Sequence, residues 1–114
     1  MLLNPVLVLR YFLQSDDTCP FAEWFDALDA AAATKVSVAL ARLEQGNLSN
    51  VKGVGEGVLE YKIDWGPGYR VYFGRDGAVL VILLTGGTKR RQQRDIAAAK
   101  SFWTDYRQRR PKRH

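Results

Sequence analysis

Between Leu59 and Phe73 apolar and polar side chains alternate strictly on both sides of a Gly66-Pro67-Gly68 break. Leu59, Tyr61, Ile63 and Trp65 alternate with Glu60, Lys62 and Asp64; after the break Tyr69, Val71 and Phe73 alternate with Arg70 and Tyr72. A period of two gathers one apolar set on a single face only in extended chain. The segment therefore reads as a β-hairpin with one greasy face, and the rest of the chain must supply a layer to cover it. Taking Gly66-Pro67-Gly68 as a three-residue loop, Trp65 pairs with Tyr69, Ile63 with Val71 and Tyr61 with Phe73 on the core face. The same register sets Asp64 opposite Arg70 and Lys62 opposite Tyr72, with Glu60 two residues further along.

The covering layer is legible upstream. Phe21, Trp24, Phe25 and Leu28 recur at helical spacing behind Pro20, which suits a first helical turn. Val36, Leu40 and Leu43 predict a second helix over Asp29–Gln45, stopped at Gly46-Asn47. Val6–Gln14 is rich in Val, Leu, Tyr and Phe and reads as a first strand. Beyond the hairpin, Asp76-Gly77 suits a tight type I′ turn, and Ala78–Thr85 is apolar on both parities, as in a strand covered on both faces. Gly86-Gly87 ends it. Ile96, Ala99, Trp103 and Tyr106 make a last helical stripe. The order is βααβββα: an α+β domain with a helical hairpin on a small, mostly antiparallel sheet and a C-terminal helix. One domain is expected over 1–107, with 108–114 a mobile basic tail, because Pro111 opposes helix continuation.

Charge is divided unevenly along this plan. Before residue 89 seven cations face ten acids (−3), whereas from Lys89 onward ten cations face two acids (+8). Clustered Lys and Arg suit a polyanion, because they release condensed counterions on meeting phosphates. A solvated basic tail would have the same composition. One cysteine, Cys19, leaves no internal disulfide framework, and the one histidine is His114 at the end of the chain. The usual nitrogen and sulfur metal ligands and the base of a Ser-His or Cys-His nucleophile are therefore missing. No metal and no cofactor is expected. The apolar N-terminus is short and interrupted by Pro5 and Arg10, so no membrane association is expected, and a cytoplasmic location is.

The polar side of the hairpin carries Glu60, Lys62, Asp64, Arg70 and Tyr72, bordered by the Gly87–Arg91 turn with Lys89, Arg90 and Arg91. Such alternation also fits a face that merely meets water, with Asp64–Arg70 a surface pair worth under about 1 kcal/mol. The chemistry it could support is RNA cleavage. Attack of a 2′-hydroxyl on its neighbouring phosphate needs a base, a cation at the phosphate and a proton donor for the leaving oxygen. Glu60, Asp64 or Lys62 could be the base, Arg70 the clamp, and Lys89 or Arg90 the second clamp or acid. Tyr72 could support a base or sugar, and Arg91 and Arg94 could bind the backbone. Free Lys and Tyr side chains titrate near 10, so a site without histidine should be feeble alone and depend on a partner to position the substrate.

Val58-Leu59-Glu60-Tyr61-Lys62-Ile63, Gly66-Pro67-Gly68-Tyr69-Arg70-Val71-Tyr72-Phe73, Leu83-Leu84-Thr85-Gly86-Gly87-Thr88-Lys89 and Gln92 with Asp95-Ile96 and Ala99 resemble the RelE/ParE superfamily of toxins. More narrowly, they resemble its HigB-like "addiction module killer protein" branch, from Phe21 to Tyr106. The resemblance implies a RelE-like fold and the toxin of a type II toxin–antitoxin system, held by a small helix-turn-helix antitoxin. It implies a ribosome-dependent mRNA endonuclease, an mRNA interferase that inhibits translation, whose partners are the ribosome and mRNA. By motif, Arg70 matches the phosphate-stabilising arginine, Lys62 a sheet lysine of the active site, and Lys89 with Arg90 the basic turn after the last core strand. Two positions depart: Asp64 stands where a second lysine is expected, and Ile96 where the family has a stacking tyrosine, for which Tyr72 or Tyr106 could substitute. ParE-like relatives share the fold and inhibit DNA gyrase without cutting RNA, so that activity remains an alternative, as does a non-enzymatic nucleic-acid-binding module.

Overall fold

The computed structural model describes residues 6–110. The chain is α+β, with a five-stranded mixed sheet between a helical pair and a single long helix. Strand β1 (Val8–Tyr11) leads into α1 (Pro20–Asp26) and α2 (Ala30–Glu44). Strands β2 (Val51–Gly55), β3 (Val58–Ile63), β4 (Tyr69–Asp76) and β5 (Leu80–Thr88) follow, and a 3-10 turn (Lys89–Arg91) opens α3 (Gln92–Arg109). The sheet order is β1-β5-β4-β3-β2, parallel between β1 and β5 and antiparallel elsewhere. The chain thus leaves one edge, crosses the sheet through the helical pair, and meanders back to its starting strand.

Local chemistry sets the helix ends. Pro20 stands in the first turn of α1, where its missing N–H costs nothing, and the Cys19 sulfur accepts from the Ala22 amide at 3.4 Å. Asp29 caps α2 by accepting from Ala32 N at 2.8 Å, and Gly46, at φ +80°, ends it. The helices fall as expected, and the expected strand at Val6–Gln14 shortens to Val8–Tyr11. One element is additional: the order is βααββββα, because β2 forms the edge of the sheet. Its sequence, VKGVG, holds two glycines and no apolar alternation. It is a strand because the Glu56-Gly57 turn, left-handed at both residues (φ +54° and +84°), folds it back onto β3.

Both faces of the sheet are covered. Tyr61, Ile63, Val71, Phe73, Val81 and Leu83 pack with Phe21, Val36, Ala39 and Leu43 of the helical pair. Phe12, Val58, Tyr72, Ile82 and Leu84 pack with Ala99 and Trp103 of α3. Each fully buried large side chain contributes roughly 1.5–3 kcal/mol, and both cores are needed for the sheet to lie between them. The doubly apolar β5 follows directly: its two parities serve two different layers.

Two hairpins depart from the expected loops. Ile63 pairs with Tyr69 and Lys62 with Arg70, so the β3–β4 loop is five residues (64–68) instead of three. This register is shifted by two, an even number, so every side chain keeps its face while its partner changes. Trp65 consequently leaves the core and sits in the loop, 37% exposed. The Asp76-Gly77 turn is a three-residue loop, with Asp76 paired to Leu80 and only Gly77 left-handed (φ +80°), instead of a type I′ turn.

Part of the expected basic tail is held by the domain. α3 continues through Arg109, whose guanidinium bonds Asp105 and the Leu13 carbonyl, while Arg110 Nη1 meets Asp76 Oδ1 at 2.8 Å. Residues 108–110 are thus bound to the domain; 111–114 lie outside the described residues. Among the described residues no helix is long and apolar enough to cross a membrane.

Candidate nucleic-acid interface

The polar side of the hairpin is the side that α3 covers, so its residues divide between an interior cluster and a rim. Glu60 and Tyr72 are directly paired across β3 and β4, and Lys62 with Arg70 is the next pair but one. Glu60 is 1%, Arg70 4% and Tyr72 0% exposed. This corrects the expectation of an open polar face: Tyr72 cannot receive a base, Glu60 is not presented to substrate, and Arg70 reaches the cleft only as part of its wall. Lys62, Lys89, Arg90, Arg91 and Arg94 are exposed.

Inside the cluster, Glu60 is a hub. Its Oε2 accepts from Gln92 Nε2 at 2.8 Å, and its Oε1 lies 3.7 Å from Arg70 Nε and 3.8 Å from Lys52 Nζ. Burial, and then the adjacent Glu60 carboxylate and more distant Asp95, push the Tyr72 phenol well above its ordinary value, with Arg70 acting in the opposite sense. Tyr72 is therefore a neutral, protonated member of the cluster. Glu60 in turn orients Arg70, whose Nη1 also donates to the carbonyls of Gly68 (3.1 Å) and Tyr69 (3.3 Å). The guanidinium is thus held at its Nη1 tip by two carbonyls of the loop side, while its Nε rests near the Glu60 carboxylate without a hydrogen bond.

That loop forms the open part of the site. Lys62, Asp64, Trp65, Gly68, Arg70 and Lys89 line a cleft of about 340 Å³. Lys89 is tied to the loop by its amide, which donates to the Gly68 carbonyl at 2.8 Å. Gly68 is left-handed (φ +77°), and a Cβ there would press on Lys89 Cβ and Arg70 Nη1. Three cations from β3, β4 and the 3-10 turn therefore converge on one cleft with a single carboxylate, Asp64. Such a concentration of positive charge beside exposed Arg90, Arg91 and Arg94 is suited to phosphates. Among the described residues no three His, Cys, Asp or Glu side chains gather as a metal site.

Not every candidate joins. Tyr106 lies toward the far end of α3, where its hydroxyl donates to Asp76 Oδ2 at 2.7 Å and its ring stacks on Trp103 at 5.3 Å. It belongs to the hairpin end opposite the cleft. Ile96 is half-buried against the α3-side core. Two residues to which sequence reasoning gave no role in the site belong to the cluster: Gln92, through Glu60, and Asp95. Asp95 is held over Gly87, where any Cβ would overlap its carboxylate. Its Oδ2 is buried with no hydrogen-bond partner among the described residues. Burial raises its pKa above the ordinary aspartate value, against the pull of Arg91 and Arg94. The Gly86-Gly87 pair was the available signal, since adjacent glycines in a strand mark close approach. Gly86 meets the Trp24 ring on one face and Gly87 meets Asp95 on the other.

The fold and site define an α+β protein with a cationic cleft at the end of a sheet hairpin, buttressed by a buried Glu–Arg–Tyr cluster. No family model matches the chain. It is 42% identical over 89 residues to an uncharacterized protein of Haemophilus influenzae, an alignment covering 77% of this chain and 90% of that protein. The chain belongs to the family of that protein.

Proposed function

We propose that this protein is the toxin of a type II toxin–antitoxin system, of the RelE/ParE superfamily and its HigB-like branch, and that it cleaves mRNA on the ribosome. The observation that carries the reading is the convergence of Lys62, Arg70 and Lys89 on one cleft, at the residues through which the GPGYR and GGTK segments resemble that branch. The α+β architecture is compatible with it.

In this reading the scissile phosphate sits against Arg70. The Gly68 and Tyr69 carbonyls and the nearby Glu60 carboxylate keep that guanidinium at the wall of the cleft, where its charge neutralises the crowded phosphate. Asp64, the carboxylate of the cleft, takes the proton of the attacking 2′-hydroxyl, and Lys62, exposed and directly opposite Arg70, is a second cation at the phosphate. As the 2′-oxygen bonds to phosphorus the bond to the 5′-oxygen breaks, and Lys89 gives that oxygen a proton. The products are a 2′,3′-cyclic phosphate and a 5′-hydroxyl. The ribosome supplies the alignment that a three-cation cleft lacks, worth several kcal/mol in rate by orientation alone. An antitoxin that neutralises this toxin carries acidic side chains into the same cleft.

The test is primer-extension mapping of transcripts after induction without antitoxin. New 5′ ends inside translated reading frames, with translation arrested, are expected. Continued protein synthesis accompanied by gyrase-linked DNA breaks would replace this reading with gyrase inhibition.

A further inference from the structure

A second cleft adjoins the first. About 320 Å³ in volume, it runs between α2 and the end of β3, and Lys35, Arg42, Asn50, Lys62, Asp64 and Trp65 are among its lining. Lys62, Asp64 and Trp65 are common to both. The two clefts meet at these three residues, on either side of the end of β3, and the charged lining of the trough they make together is Lys35, Arg42, Lys62, Arg70 and Lys89 against Asp64. Neither Lys35, Arg42, Lys62 nor Lys89 forms an ion pair among the described residues.

Trp65 stands where the two halves meet. It is a large apolar ring in a loop otherwise made of Asp64, Gly66, Pro67 and Gly68, displaced from the core by the five-residue turn. Its position is fixed nonetheless. Its amide donates to the Ile63 carbonyl at 3.0 Å, and its carbonyl accepts from Gly68 N at 3.1 Å. Its ring stacks with Tyr69 at 6.1 Å and 23°, and Tyr69 meets Trp24 edge-on. Lys35 Nζ lies 5.5 Å from the Trp65 ring centroid. A long, flexible lysine at that range is a loose occupant of the aromatic face, and a flat ligand can displace it.

We propose that Trp65 is a nucleobase subsite: single-stranded RNA lying in the trough stacks one base, flanking the scissile phosphate, on the Trp65 ring. Lys35 swings from the ring to the phosphate attached to that base. An aromatic platform set in a cationic groove is the common plan of single-strand recognition, with stacking that tolerates any base. The subsite rests on the endonuclease reading and supplies what the buried Tyr72 and remote Tyr106 cannot.

The experiment uses the full chain and a short fluorescein-labelled oligoribonucleotide with a 2′-O-methyl backbone, which binds without being cut. Titration should quench tryptophan fluorescence. Trp65→Ala should weaken binding by about 5- to 150-fold, the range of a lost base–aromatic stack, and Trp65→Phe should keep most of the affinity. Lys35→Gln should lower the salt dependence of binding by about 0.7 in log–log slope. Melting temperatures of all three variants establish that they are folded. Ribosome-dependent mRNA cleavage by wild-type protein, followed in parallel, separates the two claims. Cleavage together with unchanged oligonucleotide affinity in folded Trp65→Ala overturns the subsite alone. Neither cleavage nor oligonucleotide binding by the wild type overturns both. Quenching by an acidic peptide and not by the oligonucleotide, lost in Trp65→Ala while Trp24 and Trp103 remain, would make the trough a protein-docking surface and overturn the subsite.

Discussion

Arg70 carries two duties that a single substitution cannot separate. Its tip faces the cleft, and its Nε lies against a Glu60 carboxylate that is 1% exposed. Arg70→Ala is expected to cost a hundred- to thousand-fold in cleavage, by about 3–4 kcal/mol of lost phosphate stabilisation. It should also destabilise the fold by about 1–3 kcal/mol, because Glu60 Oε1 would keep only Lys52 at 3.8 Å. Adding Glu60→Gln to Arg70→Ala should restore part of the stability but none of the activity; chemical denaturation and cleavage assays on the two variants check this. Asp95 provides a pH-dependent signature. Its folded-state pKa is raised, so the folded protein binds more protons than the unfolded chain, and its contribution to stability falls as pH rises through the carboxylate range. Asp95→Asn should therefore gain stability relative to wild type at neutral pH, and the gain should fade on acidification below the ordinary aspartate pKa. NMR titration of the Asp95 carboxyl at or below the ordinary value would contradict this.

Among the elements, α3 binds the sheet at both ends. At its start Gln92 and Asp95 close over Glu60 and Gly87; at its end Tyr106 and Arg110 share the Asp76 carboxylate. Gly87→Ala should cost about 1–3 kcal/mol, the usual range for overpacking, because its methyl group would displace Asp95 and the first turn of α3. Removing 108–114 should lower the melting temperature, through loss of the Arg110–Asp76 bond and the Arg109–Leu13 bond, by about 1–2 kcal/mol of stability. Differential scanning calorimetry measures both. These contacts explain which parts of the fold were legible in the sequence. α1, α2 and α3 show helical stripes because each buries one side. The β3–β4 hairpin and β5 show period two and a double parity because they lie between two layers. β2 was not legible, since an edge strand with two glycines buries too little to leave a pattern. Hairpin register was not legible either, because a shift of two residues preserves every face. The interior position of Glu60, Arg70 and Tyr72 followed from this: alternation reports which face a residue is on, while only the packing of α3 decides whether that face meets water. Lys62, Arg70 and Lys89 were still brought together, because the even shift left them on the same side of the sheet.

At the scale of the molecule, the basic side chains of the last quarter of the chain form two groups among the described residues, with Lys100 between them paired to Glu56. Lys89, Arg90, Arg91 and Arg94 stand at the cleft end of α3, and Arg107, Arg109 and Arg110 at the other, about 27 Å away along an 18-residue helix. The second group is partly occupied by Asp105, Asp76 and the Leu13 carbonyl. The salt dependence of ribosome binding is therefore expected to follow the first group. Charge removal at Arg90, Arg91 and Arg94 should flatten it, while removal of 108–114 should change it much less; filter binding across a salt series distinguishes them. The measurement closest to the proposed activity is a reconstituted one: purified protein, mRNA, and ribosomes translating it, with RNA ends mapped at nucleotide resolution. Cuts within the translated frame, dependent on the ribosome and lost in Lys62→Ala, are the expected result. Intact mRNA under these conditions, with gyrase supercoiling blocked by the same preparation, would contradict it.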